Sequence, residues 1–364
     1  MAYTTINKST DYFNTKLYEG NGSSPRSITG VGFQPDWTWT KNRDNTNGHG
    51  LFDAVRGYTT GKGLSTHNAN AQGNADTYGY LSSRDSDGYT MTAGGSGMTM
   101  NNTNGESYVS WNWKANGQGS SNTAGSINTT YTSVNTTAGF SISTYTGNGT
   151  SGATVGHGLG VAPSMVIVKQ LNDTGSWVVY HKSQGATKFG ILDTTAAFGT
   201  SSSLWNDTAP TNSVFYLGND GDTNGASQTF VAYCFAEKTG YSKFGSYTGI
   251  ADDDGAFVYT GFAPKFIMVK ASTGSSTYSS WSMFDTARSF NENVGKTLYA
   301  NRNYAEGKRG QGTSSTSSPA VDLLSNGFKF RKHADEVNNS NTTYIYMAIG
   351  QSLVGSNNIP ATAR

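Results

Sequence analysis

The sequence predicts an all-β protein built from three tandem copies of a β-sandwich or jelly-roll-like module. A segment in which a proline precedes a lysine by six residues occurs at residues 32–41, 160–169 and 261–270. Short apolar or alternating runs are separated by Gly, Asn and Ser turns, and no segment keeps a 3.6-residue period. Aromatic residues make up 12% of the chain and charged residues only 13%, against about 25% charged in an average domain. Together these features are typical of short strands joined by turns.

The spacing of the repeats sets the predicted modules. Module 1 covers residues 1–115, module 2 residues 139–240, and module 3 residues 241–364, including a polar C-terminal tail. Residues 116–138 are almost entirely Gly, Ser, Thr and Asn, which predicts a flexible linker. The alternative for this segment is an additional strand that uses Ile127, Tyr131 and Val134.

The strand after each marker proline is the central element of its module. The run Met165 to Val168 is β-branched and unbroken, so it predicts a strand buried on both faces. In module 1, Trp37 and Trp39 alternate with threonines, which predicts one buried and one wet face. Each module then closes with a turn-then-strand segment and a last apolar strand, at residues 85–91 and 108–114, 214–218 and 230–236, and 324–330 and 344–349.

Asp-x-x-Arg follows the central strand in two modules, as Asp53 with Arg56 and Asp285 with Arg288. A catalytic acid with an orienting cation has this spacing, and so does a local ion pair that clamps a bend. Because the pair recurs in the same place, we interpret it as framework. Module 2 has Tyr180 and Ser183 in this region. The structural repeat markers are therefore Pro35, Lys41, Asp53, Arg56, Pro163, Lys169, Pro264, Lys270, Asp285 and Arg288.

Other chemistry finds little support in the sequence. The five histidines are not spaced as zinc ligands, and Cys234 is the single cysteine. The acidic turns at residues 85–88 and 252–255 are predicted to be turns, with calcium binding left open. There is no nucleophile elbow or phosphate loop. The sequence therefore predicts no catalytic residue, no metal site and no cofactor, although paired carboxylates for glycoside hydrolysis depend on geometry.

Charge and hydropathy exclude several partner classes. The net charge is +1 with no basic stripe, which argues against nucleic-acid binding. The N-terminus has no signal-peptide pattern, and no apolar run approaches the ~18 residues of a membrane span.

A polar and aromatic surface remains as the candidate for function, because Tyr, Trp, Asn, Ser and Gly suit contact surfaces that stack and hydrogen-bond. Aromatic residues that recur between modules are assigned to the core. The non-repeated ones are predicted to form a contact surface: Tyr58, Tyr78, Tyr80, Trp205, Tyr278, Tyr299 and Tyr304.

Four motifs, three of which recur, carry a family resemblance over about residues 12–350. They are Tyr-x-Gly-Asn-Gly (residues 145–149), Gly-Phe-x-Pro (32–35 and 261–264), Phe-Asp-x-x-Arg, and Ser-Asn-Gly-Phe (325–328). This set resembles a repeat module of tailed-bacteriophage virion proteins of the marine and cyanophage type, often described as tail fibres or structural proteins. Module 2 departs from the pattern by lacking Asp-x-x-Arg, and module 3 by having Gly249-Ile250-Ala251 in place of Gly-Asn-Gly.

The resemblance implies a non-enzymatic virion structural protein, assembled in the host cytoplasm. The leading hypothesis is a tail-fibre or receptor-binding adhesin that contacts a host surface glycan or protein. Expected partners are other tail or capsid proteins and further copies of the chain, with no nucleic acid and no membrane insertion. A capsid decoration protein, with three modules forming a pseudo-threefold body, is the alternative within this class. A glycan depolymerase is the alternative from another class.

Overall fold

The chain folds almost entirely into antiparallel β-strands. The computed structural model describes residues 3–274, 279–288, 296–307 and 320–355. Within these ranges the helical elements are short: 3-10 turns at Ser9–Asp11 and Asn74–Tyr78, α1 (Ser202–Trp205) and α2 (Gly221–Asn224). The predicted all-β fold class is confirmed.

Module 1 consists of a four-stranded and a three-stranded sheet. Its strands are β1 (Phe13–Glu19), β2 (Arg26–Thr29), β3 (Trp37–Asn42), β4 (His49–Asp53), β5 (Tyr80–Asp85), β6 (Gly88–Thr92) and β7 (Ser107–Trp113). The larger sheet has the order β1-β7-β3-β4 and the smaller one β2-β6-β5. The β5–β6 hairpin is the turn-then-strand segment read from the sequence.

Module 2 and the segment before it form a seven-stranded and a two-stranded sheet. The strands are β8 (Tyr131–Asn135), β9 (Phe140–Thr146), β10 (Ala153–Gly156), β11 (Met165–Gln170), β12 (Trp177–His181), β13 (Lys188–Ile191), β14 (Gly199–Thr200), β15 (Val214–Leu217) and β16 (Thr229–Phe235). The larger sheet runs β14-β13-β12-β11-β16-β9-β8, and β10 pairs with β15.

Module 3 consists of a five-stranded and a three-stranded sheet. Its strands are β17 (Ser242–Thr248), β18 (Phe257–Tyr259), β19 (Ala263–Ala271), β20 (Ser282–Asp285), β21 (Leu298–Tyr299), β22 (Val321–Leu324), β23 (Gly327–Phe330) and β24 (Thr343–Gln351). The larger sheet runs β17-β24-β19-β20-β21 and the smaller one β18-β23-β22.

The same strand order lies at the centre of all three larger sheets: first strand, last strand, marker-proline strand and the strand after it. The registers agree too, because the residue two positions after each marker proline pairs with the closing strand, as Trp37↔Trp113, Met165↔Phe235 and Phe266↔Ile349. The shared strand order and register define which positions correspond between modules.

The three larger sheets share one hydrophobic core. One face of each sheet contributes to it, with Trp37, Trp39 and Trp111 from module 1, Ile167 and Trp177 among others from module 2, and Phe266 and Met268 from module 3. The opposite face of each larger sheet packs against the smaller sheet of its own module in a separate cluster. The central strands of each larger sheet are therefore buried on both sides, as predicted for Met165 to Val168.

Two sequence predictions need correction. All six residues of β3 are buried, so the threonines do not form a wet face. Thr38 accepts a hydrogen bond from Tyr58 Oη (2.8 Å) and donates to Asn112 Oδ1 (3.1 Å), which satisfies the buried hydroxyl.

The segment 116–138, predicted as a flexible linker, contains β8 at the edge of the large sheet of module 2. This part of the segment matches the alternative of an additional strand. Its side chains bond across the strand pair, as Thr132 Oγ1 does with Ser143 Oγ at 3.0 Å. A strand held by such bonds does not require an apolar pattern, which is why composition did not reveal it.

Candidate functional site

The three marker lysines are structural. Lys41, Lys169 and Lys270 are fully buried, at 0% exposure, although lysine is rarely buried without a partner. Burial lowers their pKa values, to about 7 for Lys41 and Lys270 and about 8 for Lys169. Each ammonium donates hydrogen bonds to backbone carbonyls. These groups fasten the ends of the central strands and face no solvent, so they are poor candidates for binding.

Two of the lysines cross between modules. Lys169 Nζ donates to Ala69 O of module 1 at 3.2 Å, and Lys270 Nζ donates to Thr195 O of module 2 at 2.9 Å. Lys41 instead donates to Asn42 O (2.6 Å) and Asn45 O (3.4 Å) of its own module. We call the boundary between two modules a seam; among the described residues, no marker lysine bonds across the seam between modules 1 and 3.

A second set of corresponding residues closes all three seams. Lys41 pairs with His49 and Lys169 with Trp177 in the strand registers. In module 3 the register ends at Val269↔Ser282, and the next position places Trp281 opposite Lys270. Trp177 Nε1 donates to Ser65 O at 3.0 Å and Trp281 Nε1 to Ile191 O at 2.9 Å. His49 Nε2 lies 3.0 Å from Tyr299 O, so its neutral ring makes the matching contact to module 3. The three modules therefore contact one another in a closed cycle.

The Asp-x-x-Arg pairs are buried clamps, as interpreted from the sequence. Asp53 and Arg56 form an ion pair at 2.5 Å, and Asp285 and Arg288 one at 2.6 Å, with side chains at most 2% exposed. Each aspartate also accepts backbone N–H bonds from the bend that follows it. Neighbouring modules add one bond to each, from Tyr233 Oη to Asp53 (2.7 Å) and from Trp111 Nε1 to Asp285 (2.9 Å).

In module 2 the corresponding residue is His181, because Met165 pairs with His181 just as Trp37 pairs with Asp53. Sequence comparison aligned Tyr180 here, one residue too early. Burial lowers the pKa of His181 to about 4, so the ring is neutral and its Nε2 meets Tyr346 O of module 3 at 3.2 Å.

The predicted aromatic contact surface is only partly present. Tyr58, Trp205 and Tyr299 are buried at 8%, 2% and 3% exposure, because each packs into a core even though it is not repeated. Tyr80 and Tyr304 are partly exposed, and Tyr78 is 49% exposed. Tyr278 lies outside the described residues. The six described residues of this set are thus not brought together in one surface.

A cavity of about 430 Å³ lies in module 1 beside its seam with module 3, which contributes Asn303 to the lining; Tyr78 is another lining residue. We call it the seam cavity. Its lining consists of Thr46, Asn47, Gly48, Ser65, His67, Asn68, Asn70, Asn74, Ala75, Tyr78, Thr99, Met100 and Asn303. Among the described residues, no carboxylate, lysine or arginine lines it. Burial, with the charge of Lys41 as a smaller cause, lowers the pKa of His67 to about 4, so the lining is neutral at pH 7.

The cavity lies beside the seam that, within the described part of the chain, no marker lysine crosses. Leu64, Gly190 and Leu298 are corresponding residues on the outer strands, and five residues further on lie Ala69, Thr195 and Asn303. The carbonyl of Ala69 accepts a hydrogen bond from Lys169, and that of Thr195 accepts one from Lys270. Asn303, at the corresponding position of module 3, lines the cavity. Sequence reasoning missed its asparagines because in a Gly- and Asn-rich chain they look like ordinary turn residues.

An exposed aromatic strip on module 3 was also missed. Phe257 and Tyr259 of β18 are 45% and 57% exposed on the outer face of the smaller sheet. The hairpin registers place Ser27 and Thr29 at the corresponding positions of module 1, opposite Thr90 and Gly88. Because module 1 has small polar residues there, we expect the fold of module 3 not to require the aromatic rings.

The acidic turns use their carboxylates within the protein. Asp87 accepts the backbone N–H groups of Gly30 (2.9 Å) and Gly32 (2.6 Å), which lowers its pKa. Asp253 and Asp254 pair with Lys332 and Arg331. Within the described part of the chain, no three His, Cys, Asp or Glu residues are grouped so that they could hold a metal ion. None of the helices there has the length and apolar character to span a bilayer.

Comparison with protein-family models matches residues 8–352 to a family described as a domain of unknown function, DUF7483. The chain belongs to this family. The match extends across all three modules. No curated protein and no solved structure matches the chain.

Proposed function

We propose that this DUF7483 protein is a non-enzymatic virion structural protein, a tail-fibre or receptor-binding adhesin of a tailed bacteriophage. The observation that carries the binding role is the seam cavity: a preformed, neutral site in a body whose buried charged groups are used for internal contacts. The motif resemblance supplies the virion assignment. Binding would occur without turnover, because the cavity lining offers no acid pair and no activated nucleophile among the described residues.

The experiment has two arms. Antibodies against the chain are applied to particles of the virus that encodes it, and their position is read by electron microscopy. Purified chain is separately added to host cells before infection. An adhesin predicts labelled tails and reduced adsorption. Unlabelled particles together with unchanged adsorption would refute the proposal.

The closed cycle of three modules favours one further candidate, a capsid decoration protein. A body with three similar faces around one core matches the local symmetry of capsid positions where three subunits meet. This candidate predicts antibody label over heads and no competition for adsorption. A depolymerase, the candidate from another class, predicts that host surface polysaccharide releases fragments when incubated with the chain, whereas the adhesin predicts none.

A further inference from the structure

The seam cavity is chemically unusual for a protein pocket because amides and hydroxyls form most of its wall. Its volume of about 430 Å³ lies in the roughly 300–1,000 Å³ range of small-molecule sites. An asparagine side chain offers both donors and an acceptor. A wall of this kind matches a ligand that carries many hydroxyls and no charge, because an ionised ligand would enter without a counter-charge.

Two of the amides are free to bind. The side chains of Asn47 and Asn303, one from each side of the seam, make no hydrogen bond with other described residues. Both are only partly exposed. Tyr78 adds a half-exposed ring at the same cavity. Amide groups beside one aromatic face give the combination that holds a pyranose ring: hydrogen bonds to its hydroxyls and packing against its C–H face.

The wall is held in place before any ligand arrives. Asp76 accepts backbone N–H bonds from Lys62 (3.1 Å) and Gly63 (3.0 Å), which ties the 3-10 turn carrying Asn74 and Tyr78 to the neighbouring loop. Asn70 Nδ2 donates to Asn74 Oδ1 at 2.9 Å. A wall fixed in this way loses little conformational entropy on binding.

We propose that the seam cavity binds a neutral sugar unit of a surface glycan, with Asn47 and Asn303 as hydrogen-bonding residues and Tyr78 as the stacking residue. The inference rests on the proposed function and deepens it, because it names the class of receptor and the site. Specificity would favour uncharged hexoses and N-acetylhexosamines over uronic or sialic acids, since no cation among the described residues lines the wall.

The test is a titration of the full chain with oligosaccharides of glucose, galactose, mannose and N-acetylglucosamine, and in parallel of galacturonate and sialic acid. At least one neutral series should bind and the acidic series should not. The double variant Asn47→Ala/Asn303→Ala should weaken that binding by about tenfold, the loss of two hydrogen bonds. Tyr78→Ala should weaken it further.

Matched controls separate binding from folding. Asn104 is exposed and its side chain makes no hydrogen bond with the described residues, so Asn104→Ala should bind as the parent does. Tyr131, 36% exposed on β8, provides the control for Tyr78 through Tyr131→Ala. All variants should keep the parent's unfolding temperature within the error of the measurement.

Binding of acidic sugars alone, absence of binding by every series, or equal affinity in Asn47→Ala/Asn303→Ala would overturn the inference. The proposed function has a separate outcome. Labelled tails and reduced adsorption without sugar binding would leave the adhesin in place and refute this site, whereas sugar binding by a chain absent from the particle would do the reverse.

Discussion

At the scale of single residues, the chain places its buried charges where modules or strands must be fastened. Lys41, Lys169 and Lys270 have their ammonium groups enclosed by backbone carbonyls. Desolvation opposes the charged form of such a group and lowers its pKa. These lysines therefore make the stability of the fold depend on pH in the alkaline range.

Lys270→Met should reduce that dependence, because it removes one of the three contributing lysines. The pKa of Lys270 is about 7 in the folded chain and about 10.4 in an unfolded one, so between these values the unfolded state binds more protons. Stability then rises with pH by at most about 1.4 kcal/mol per pH unit for each such lysine. Urea unfolding between about pH 7 and pH 9.5 measures the slope. Lys8→Met, at a lysine with 68% of its side chain exposed, is the control; equal slopes in the parent and Lys270→Met would contradict the prediction.

Arg56→Met should be strongly destabilising, by about 3–5 kcal/mol, because it leaves the buried Asp53 carboxylate without its cation. Asp53→Asn/Arg56→Met should recover part of this loss, since the uncompensated charge is then removed as well. Arg331→Met is the control: this arginine pairs with Asp254 at the surface with 44% of its side chain exposed, where an ion pair contributes about 0–1 kcal/mol. The test compares the unfolding free energies of the parent and the three variants. Comparable losses in Arg56→Met and Arg331→Met would show that the Asp53–Arg56 pair is dispensable.

At the scale of elements, the sequence was sufficient to predict a strand wherever the pattern of apolar side chains reflects burial. The run Met165 to Val168 predicted a strand buried on both faces because apolar residues at successive positions have no other explanation. β3 was predicted less well, since its threonines are buried by hydrogen bonding and not by hydrophobicity. β8 was predicted only as the alternative to a flexible linker, because hydrogen bonds between polar side chains support its pairing with β9 and leave no clear apolar pattern.

The candidate site shows the same limit. Tyr78 was singled out because it is not repeated, and it does line the seam cavity. Trp205 was singled out for the same reason and is buried. Non-repetition identifies residues that the module does not require, but it does not report exposure. The cavity itself is formed where loops distant in sequence meet, such as those that carry Tyr78 and Asn303, and no sequence pattern encodes that meeting.

The exposed strip on β18 gives a prediction at this scale. Phe257→Ser/Tyr259→Thr introduces the residue types that module 1 has at Ser27 and Thr29, and should change the unfolding free energy by no more than about 0.5 kcal/mol. Val258→Ser, at the buried residue between them, should cost more than about 1 kcal/mol through lost burial. Thermal and urea unfolding measure both. A large loss in the double variant would mean that the aromatic rings support the sheet.

At the scale of the whole molecule, the central core decides what can fold alone. Each module contributes one face of its larger sheet to a cluster shared by all three, and contacts at each seam close the cycle. The contribution of module 2 includes Phe140, Ile142, Met165, Ile167, Trp177, Val179, Val231, Tyr233 and Phe235. Without its neighbours this face would be a large exposed apolar surface, which monomeric proteins rarely tolerate.

A fragment of residues 139–240 should therefore fail to form a stable monomer, while the full chain unfolds in one cooperative transition. The physical reason is that the smaller sheet covers only one face of the larger one, and burial of the other face provides a large part of the stabilising free energy. Amide NMR dispersion, dye binding to exposed apolar surface and sedimentation measure the outcome. A fragment of residues 116–240 is the control, because it adds β8 at the sheet edge and leaves the core face bare. The longer fragment should not fold any better than the shorter one. A well-dispersed NMR spectrum together with monomeric sedimentation, from either fragment, would show that the modules are independent domains that fold without the shared core.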